Sequence, residues 1–336
     1  MKVAVLGYGT VGAGVYSMLS DAPGMEAGPV LVRPGKAVES FMVSDAALIF
    51  GDPTVDAVVE TLGGLDPAYS YGMRALEAGK HFITANKAMV AAHGLELAAL
   101  AREKGTAFLF SAACGGGVPF LHNLALSAET DRIEAVSGIL NGTTNYMLDA
   151  MQRRGLSYGN ALREAQSLGY AESDPTADVS GLDALRKMQL ACAVAFGVLP
   201  QSGMLCEGME HFTAEDVEDI QSRGLVCRLM ARGSRAGESV SAYVEPVLFP
   251  RAAPESSVFT NNNMARYTGK RCGSIVLMGQ GAGRFPTASA VLRDLAATQQ
   301  GARSMFPENC RAAEADNREA VHSYYIRTGG FAAVRL

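Results

Sequence analysis

The sequence predicts an α/β protein of two domains, the first built on a parallel sheet and the second on an open sheet of its own. Three observations predict it. A fully apolar run, Val3-Ala4-Val5-Leu6, leads straight into Gly7-Tyr8-Gly9-Thr10-Val11-Gly12. Short strand-like runs then alternate with helical patterns over the first third of the chain, the signature of parallel βαβ units with helices on both faces. After Gly115-Gly116-Gly117-Val118-Pro119 the helices lengthen and the strands become long and alternating.

Taken in order, Val3–Leu6 reads as a buried strand, followed by a helix to about Leu19. Val30-Leu31-Val32 and Ala57-Val58-Val59-Glu60-Thr61 read as the second and third strands, the latter ending at Gly63-Gly64. Pro67 to Ala78 reads as a helix stopped by Gly79, His81–Thr84 as a strand, Gly94–Lys104 as a helix and Ala107–Phe110 as a strand. With the boundary near 118, helices are predicted at about 120–128, 145–154, 157–168 and 181–197. Strands follow near Leu225–Ala231, Val240–Leu248 and Ser274–Met278, giving an open sheet covered by helices on one side. A late helix is expected from Pro286 to Gln300, and a last strand over 322–327 in a polar tail, 301–336.

The chain has 336 residues, a length suited to two domains. Lys and Arg number 29 against 34 Asp and Glu, a net charge of −5 that argues against nucleic acid or an anionic membrane surface as partner. No run approaches the ~20 apolar residues of a membrane span, and the first residues lack the pattern of a signal peptide. The six cysteines are scattered without a Cys-x-x-Cys pair, which suits reduced thiols and a cytoplasmic location. His81, His93, His122, His211 and His322 form no ligand-spaced cluster with them, so zinc catalysis is not expected.

The glycine motif carries the first chemistry. Strand, glycines and helix stand in the order of a Rossmann-type dinucleotide site: Gly7 permits the tight turn, Gly9 lets backbone approach a pyrophosphate, and Gly12 allows close helix–strand packing. Thr10 and Val11 open the helix, whose free N–H groups and positive dipole end favour phosphate. An acidic residue after the second strand would accept from the ribose 2′-OH of NAD. Arg33 and Lys36 stand there instead, and no acid precedes Glu39, so NADP is favoured, with NAD still open.

The second chemistry lies in Gly169–Lys187, where Glu172, Asp174, Asp178, Asp183 and Lys187 crowd around a turn and a helix start. Asp183 and Lys187 share one helical face, which by itself fits an exposed i,i+4 pair worth a few tenths of a kcal/mol. The same helix is uncharged from Leu190 to Pro200, which equally fits a pocket wall. An amino-acid substrate needs carboxylates for its ammonium, and a carbonyl reduced by hydride needs a proton donor at its oxygen. Lys187 suits that task, Asp183 suits positioning or binding, and Lys87 in Thr84-Ala85-Asn86-Lys87 faces the crevice at a strand end.

These segments, with Gly138-Ile139-Leu140-Asn141-Gly142-Thr143-Thr144-Asn145-Tyr146, Gly116-Gly117-Val118-Pro119 and Gly281-Ala282-Gly283-Arg284-Phe285-Pro286-Thr287-Ala288-Ser289-Ala290, resemble the homoserine dehydrogenase family over about residues 1–300. The resemblance implies NAD(P)-dependent interconversion of L-homoserine and L-aspartate 4-semialdehyde, on the route to threonine and methionine. Lys187 matches the proton donor, Asp178 an acid near the reaction centre, and Lys87 a lysine touching cofactor and substrate. Glu172 and Asp183 match substrate carboxylates, and Gly142, Thr143 and Tyr170 other pocket positions. Gly63, Gly169 and Gly281 fall with the cofactor loops. The resemblance further implies a homodimer joined through the second domain. The late helix would pack back on the first domain, making the domains 1–118 plus about 281–300 for dinucleotide and 119–280 for substrate and dimerisation.

Three features depart from the family pattern. Ser111 replaces a glutamate that helps hold a structural sodium ion in many members, although Cys114, Gly116 and Val118 still offer backbone carbonyls. The segment 20–50 is short, which loosens the alignment of Arg33. Many members continue into a threonine-sensing ACT domain after the residues matching 324–327, and none is expected here. Two other readings are a different NAD(P)-linked oxidoreductase of a small amino acid and a non-catalytic dinucleotide binder.

Overall fold

The structure, a computed structural model, describes residues 1–318, 320, 322–326 and 332–335. The first sheet consists of β1 (Lys2–Leu6), β2 (Glu26–Leu31), β3 (Met42–Val43), β4 (Ala57–Glu60), β5 (His81–Thr84) and β6 (Phe108–Leu109). Its strands are all parallel and ordered β3-β2-β1-β4-β5-β6, the doubly wound arrangement in which ligands bind where the order reverses between β1 and β4. Val3, Val5 and Leu6 in β1 and Val58 and Val59 in β4 are fully buried, as central strands covered on both faces must be. The connecting helices are α1 (Thr10–Leu19), the short α2 (Ala47–Phe50), α3 (Ala68–Glu77) and α4 (Lys87–Lys104).

Helix α4 begins seven residues earlier than its sequence pattern suggests, because the Asn86 side chain accepts from the Met89 N–H at 3.1 Å and caps it. Lys87 is therefore the first residue of a helix, not the end of a strand. The early turns are buried through Met89, Val90 and Ala91, leaving no polar face to mark the period.

A 3₁₀ turn at Ser111–Ala113 and α5 (Phe120–Thr130) lead into β7 (Ile133–Ile139). Next come α6 (Gly142–Arg154), α7 (Tyr158–Ser167), α8 (Thr176–Val179) and α9 (Leu182–Phe196). They are followed by β8 (Val198–Ser202), β9 (Leu205–Cys206), α10 (Ala214–Ser222), β10 (Leu225–Ala236), β11 (Ser239–Pro250), β12 (Asn262–Gly269) and β13 (Gly273–Gln280). The second sheet is ordered β13-β12-β7-β10-β11-β9 and is antiparallel except for the β9–β11 pair. Its centre, β7, and its neighbour β12 are strands that the sequence pattern did not reveal.

Helix α9 is buried along nearly its whole length and packs on this sheet. Gly233 makes the close approach feasible: a Cβ there would stand 2.6 Å from the Cys192 sulfur. The late helix, α11 (Arg284–Gln299), lies against α1 of the first sheet, where a Cβ on Gly14 would meet Arg284 at 2.9 Å. In the tail, β14 (Arg311–Glu314) pairs in parallel with β8, and β15 (Ser323–Ile326) pairs with β16 (Ala332–Arg335). The last strand expected over 322–327 thus has its paired backbone at Ser323–Ile326, and Arg327 lies outside the described residues. Among the described residues no helix is long and apolar enough to cross a membrane.

Candidate active site

The glycine loop sits at the C-terminal end of β1. Gly7 adopts φ +99° and donates its N–H to the Leu31 carbonyl at 2.9 Å, tying the loop to the end of β2. A Cβ on Gly12 would fall 2.1 Å from the Gly7 carbonyl oxygen, so this turn tolerates glycine alone. Helix α1 starts at Thr10 with no side chain capping it, and nothing lies within 4 Å of the Cβ position of Gly9. The N–H groups of Thr10 and Val11 are among those a helix start leaves without an intrahelical partner, and the site fits a dinucleotide pyrophosphate. Arg33 and Lys36 are exposed just beyond β2, in a turn closed by the Lys36 N–H on the Arg33 carbonyl at 3.0 Å.

Across the switch point, Glu60 closes β4 as a fully buried acid. It accepts from the N–H groups of Leu62 at 2.6 Å and Gly63 at 3.2 Å, and from the Thr84 hydroxyl at 2.5 Å. Burial pushes its carboxyl above the ordinary range, against the pull of these donors. Asn86 donates to the Gly64 carbonyl at 2.6 Å while capping α4. The Gly63 loop and Lys87 are therefore held by one buried polar network. Sequence reasoning missed Glu60; its signal is an acid ending an apolar strand with no cation beside it.

Lys87 meets the second domain directly, its Nζ lying 3.0 Å from Asp183 Oδ1. The other oxygen of Asp183 receives Lys187 Nζ at 2.7 Å, and Lys187 also donates to the Leu140 carbonyl at 2.6 Å. Asp183 and Lys187 are both buried, so the i,i+4 pair is a pocket wall and not a surface pair. Burial alone would raise the Asp183 carboxyl. Lys187 and Lys87, with the hydrogen bonds from Lys187 and Asn141, overcome it and hold the acid well below its usual range. Burial likewise opposes the charge on Lys187, but Asp183 outweighs it and raises the ammonium above its ordinary value.

Asp178 of α8 stands beside this pair. Its oxygens accept from the Asn141 amide at 2.7 Å and the Thr143 hydroxyl at 3.1 Å. Burial, aided by the nearby Asp183, raises its carboxyl despite those donors. The Thr143 hydroxyl also lies 2.5 Å from the Tyr170 carbonyl, so its single proton is shared between that carbonyl and Asp178, drawing the loop before α8 onto the first turn of α6. Gly142 opens that turn, where a Cβ would stand 2.8 Å from the Asn261 carbonyl. Glu172 and Gly169 are exposed on the same loop, Gly169 in a left-handed turn at φ +73°. The fold thus brings Lys87, Thr143, Asp178, Asp183 and Lys187 into one contiguous network, with Tyr170 joined through its backbone.

The junction proposed for sodium is arranged differently. Ser111 donates its N–H at 2.8 Å and its hydroxyl at 2.6 Å to the two oxygens of Asp294 on α11. Arg293 donates to the Gly117 carbonyl at 3.1 Å, and the Phe120 N–H takes the Val118 carbonyl at 2.7 Å. Gly116 packs against Gly281, where a Cβ would stand 2.4 Å from the Gly281 carbonyl. The Asp294 carboxylate is thus turned to Ser111 and the Arg293 guanidinium to Gly117, and neither contact involves the Cys114, Gly116 or Val118 carbonyl.

A doubly wound dinucleotide crevice facing a buried lysine–carboxylate row defines an NAD(P)-linked oxidoreductase. Residues 7–111 match the family described as homoserine dehydrogenase, NAD binding domain, and residues 119–296 match homoserine dehydrogenase. The chain is 37% identical over 319 residues to the homoserine dehydrogenase of Synechocystis, covering 88% of this chain and 72% of that one. It is 38% identical over 314 residues to the Corynebacterium glutamicum enzyme, covering 87% and 70%. The crystal structure of a homoserine dehydrogenase from Thiobacillus denitrificans superposes with a TM-score of 0.86 at 34% identity, covering 94% of this chain and 79% of that one. That of Staphylococcus aureus gives 0.74 at 31%, covering 89% and 75%. The chain belongs to the homoserine dehydrogenase family. Its reaction is the NAD(P)-dependent interconversion of L-homoserine and L-aspartate 4-semialdehyde, in threonine and methionine biosynthesis.

Proposed function

We propose that Lys187 is the proton carrier of this reaction. The observation that carries the reading is its hydrogen bonding: two of its three N–H donors are held by Asp183 and the Leu140 carbonyl, leaving one for a substrate oxygen. The dinucleotide, when bound at the glycine loop, supplies or accepts the hydride. As the semialdehyde carbon gains hydride, its oxygen takes the proton from Lys187; in the reverse direction neutral Lys187 receives the hydroxyl proton. Asp183 orients both lysines, and Lys87 completes the row from the cofactor side. Glu172 and Asp178 offer carboxylates to the substrate ammonium, while Gly142, Thr143 and Tyr170 shape its pocket.

In this reading residues 1–118 with 281–300 hold the dinucleotide through Gly7, Gly9, Thr10, Val11, Gly12, Gly63 and Gly281, and residues 119–280 hold the substrate and add Gly169 to the cofactor contacts. Arg33 and Lys36 favour NADP over NAD through the 2′-phosphate. The described cysteines are free thiols, which suits the cytoplasmic location of this reading.

Initial rates of L-homoserine oxidation, followed at 340 nm against pH with each cofactor, test the reading. An unperturbed lysine titrates at ~10.4, and the raised value of Lys187 leaves very little neutral base at pH 7. Oxidation should climb about tenfold per pH unit from pH 7 to 9, and NADP should outperform NAD. A rate that levels off below pH 9 contradicts the lysine base, and equal use of NAD contradicts the role of Arg33.

A further inference from the structure

Asn141 lies between β7 and α6 and is buried. Its Oδ1 accepts from the Thr144 N–H at 2.8 Å and the Thr144 hydroxyl at 2.9 Å, which caps α6 and fixes the orientation of the amide. The Nδ2 must then point the other way. One of its hydrogens goes to Asp178 Oδ1 at 2.7 Å and the other to Asp183 Oδ2 at 2.9 Å. One neutral nitrogen thus bridges two half-buried or buried acids from two different helices.

Two carboxylates touching one nitrogen are near neighbours, and such pairs ordinarily retain a shared proton. A donor to each favours the ionised forms instead. The other charged or titratable groups around the pair are Lys187 on α9, Lys87 from α4 and the Cys114 thiol at the junction, whose sulfur contacts the Lys187 carbonyl at 3.8 Å. Lys187 and Lys87 both lie on Asp183, and neither hydrogen-bonds Asp178. Asp178 depends on the Asn141 amide, with the Thr143 hydroxyl, whose one proton is shared with the Tyr170 carbonyl, as its other donor.

We propose that Asn141 is a positioning residue for the reaction: its amide, locked by the α6 cap, holds Asp178 and Asp183 side by side and lets both carry charge. Asp183 then keeps Lys187 protonated, while Asp178 faces the substrate ammonium as an anion. The inference rests on the assignment of Lys187 as proton carrier and adds a control on the charge state beside it.

The test is kcat/KM for reduction of L-aspartate 4-semialdehyde against pH in the wild type, Asn141→Asp and Asn141→Ser; in this direction Lys187 acts protonated, so the acid limb reports the carboxylates. Asp keeps the oxygen that caps α6 but removes both donors and adds a third acid. Its acid limb should move up by about one pH unit or more, with dinucleotide affinity close to wild type. Ser also caps but adds no charge, so its limb should move the same way by less. If Asn141 serves only as a cap, both variants keep the wild-type limb, and the proposal is overturned. Lys187→Ala separates the two readings. Turnover retained in that variant removes Lys187 as proton carrier; turnover lost, with an unmoved limb in Asn141→Asp, removes the Asn141 proposal alone.

Discussion

At the residue scale, two glycines of one loop serve different ends. Gly12 is dictated by packing, since any Cβ would drive into the Gly7 carbonyl. Gly9 has free space around it, so its need for glycine comes from what binds there. Gly9→Ala should fold with an unchanged melting temperature yet bind NADPH about tenfold or more weakly, in a fluorescence titration. Wild-type affinity in that variant would place the pyrophosphate elsewhere. Both glycines were legible in the sequence because each answers a local backbone demand. The Lys87–Asp183 and Asn141–Asp178 contacts were not, because they join segments distant in sequence and from different elements.

At the scale of elements, α11 illustrates how the late chain seals the domain junction. Asp294 is fully buried, and burial pushes its carboxyl up to about 7 despite the two Ser111 donors. An unfolded Asp titrates near 3.9, so the folded state binds this proton more tightly. The resulting stability is complete below about pH 4 and is lost as pH rises through about 7. Asp294→Asn removes that component. Thermal melts at pH 5 and 8 should show the variant gaining on the wild type at the higher pH; an equal difference at both would contradict a buried titrating acid. Elements with one strong signature were readable from sequence, such as α9 with its uncharged run. Strands β7 and β12 were hidden because Glu134, Ser137, Asn262 and Arg266 break the apolar pattern. Arg266 is accommodated by an ion pair with Glu255 at 2.8 Å, a tertiary contact that local pattern cannot register.

At the scale of the whole molecule, the site is shared. The first βα layer supplies Lys87, at the start of α4, and the glycine loops, α9 supplies Asp183 and Lys187, and the ion pair between Lys87 and Asp183 closes the row. The α/β class and the two-part plan followed from alternation and from the change of texture near Pro119, whereas the crossing of α11 back to α1 required contacts such as Gly14 with Arg284. On the edge strand β13 of the second sheet, Val276 and Met278 are 43% and 60% exposed. The homodimer that the family resemblance implies, joined through the second domain, remains an expectation with a direct test. Light scattering should give roughly twice 35.3 kDa, falling to one copy in Met278→Glu; a monomer in the unmodified protein would end the inference.

The most direct test of the proton carrier is Lys187→Ala in the 340 nm assay with L-homoserine and NADP, paired with a dinucleotide binding titration. Turnover should drop by ~10²–10⁴-fold while cofactor affinity stays near wild type. Turnover within a few-fold of the unmodified enzyme would show that the proton travels by another group.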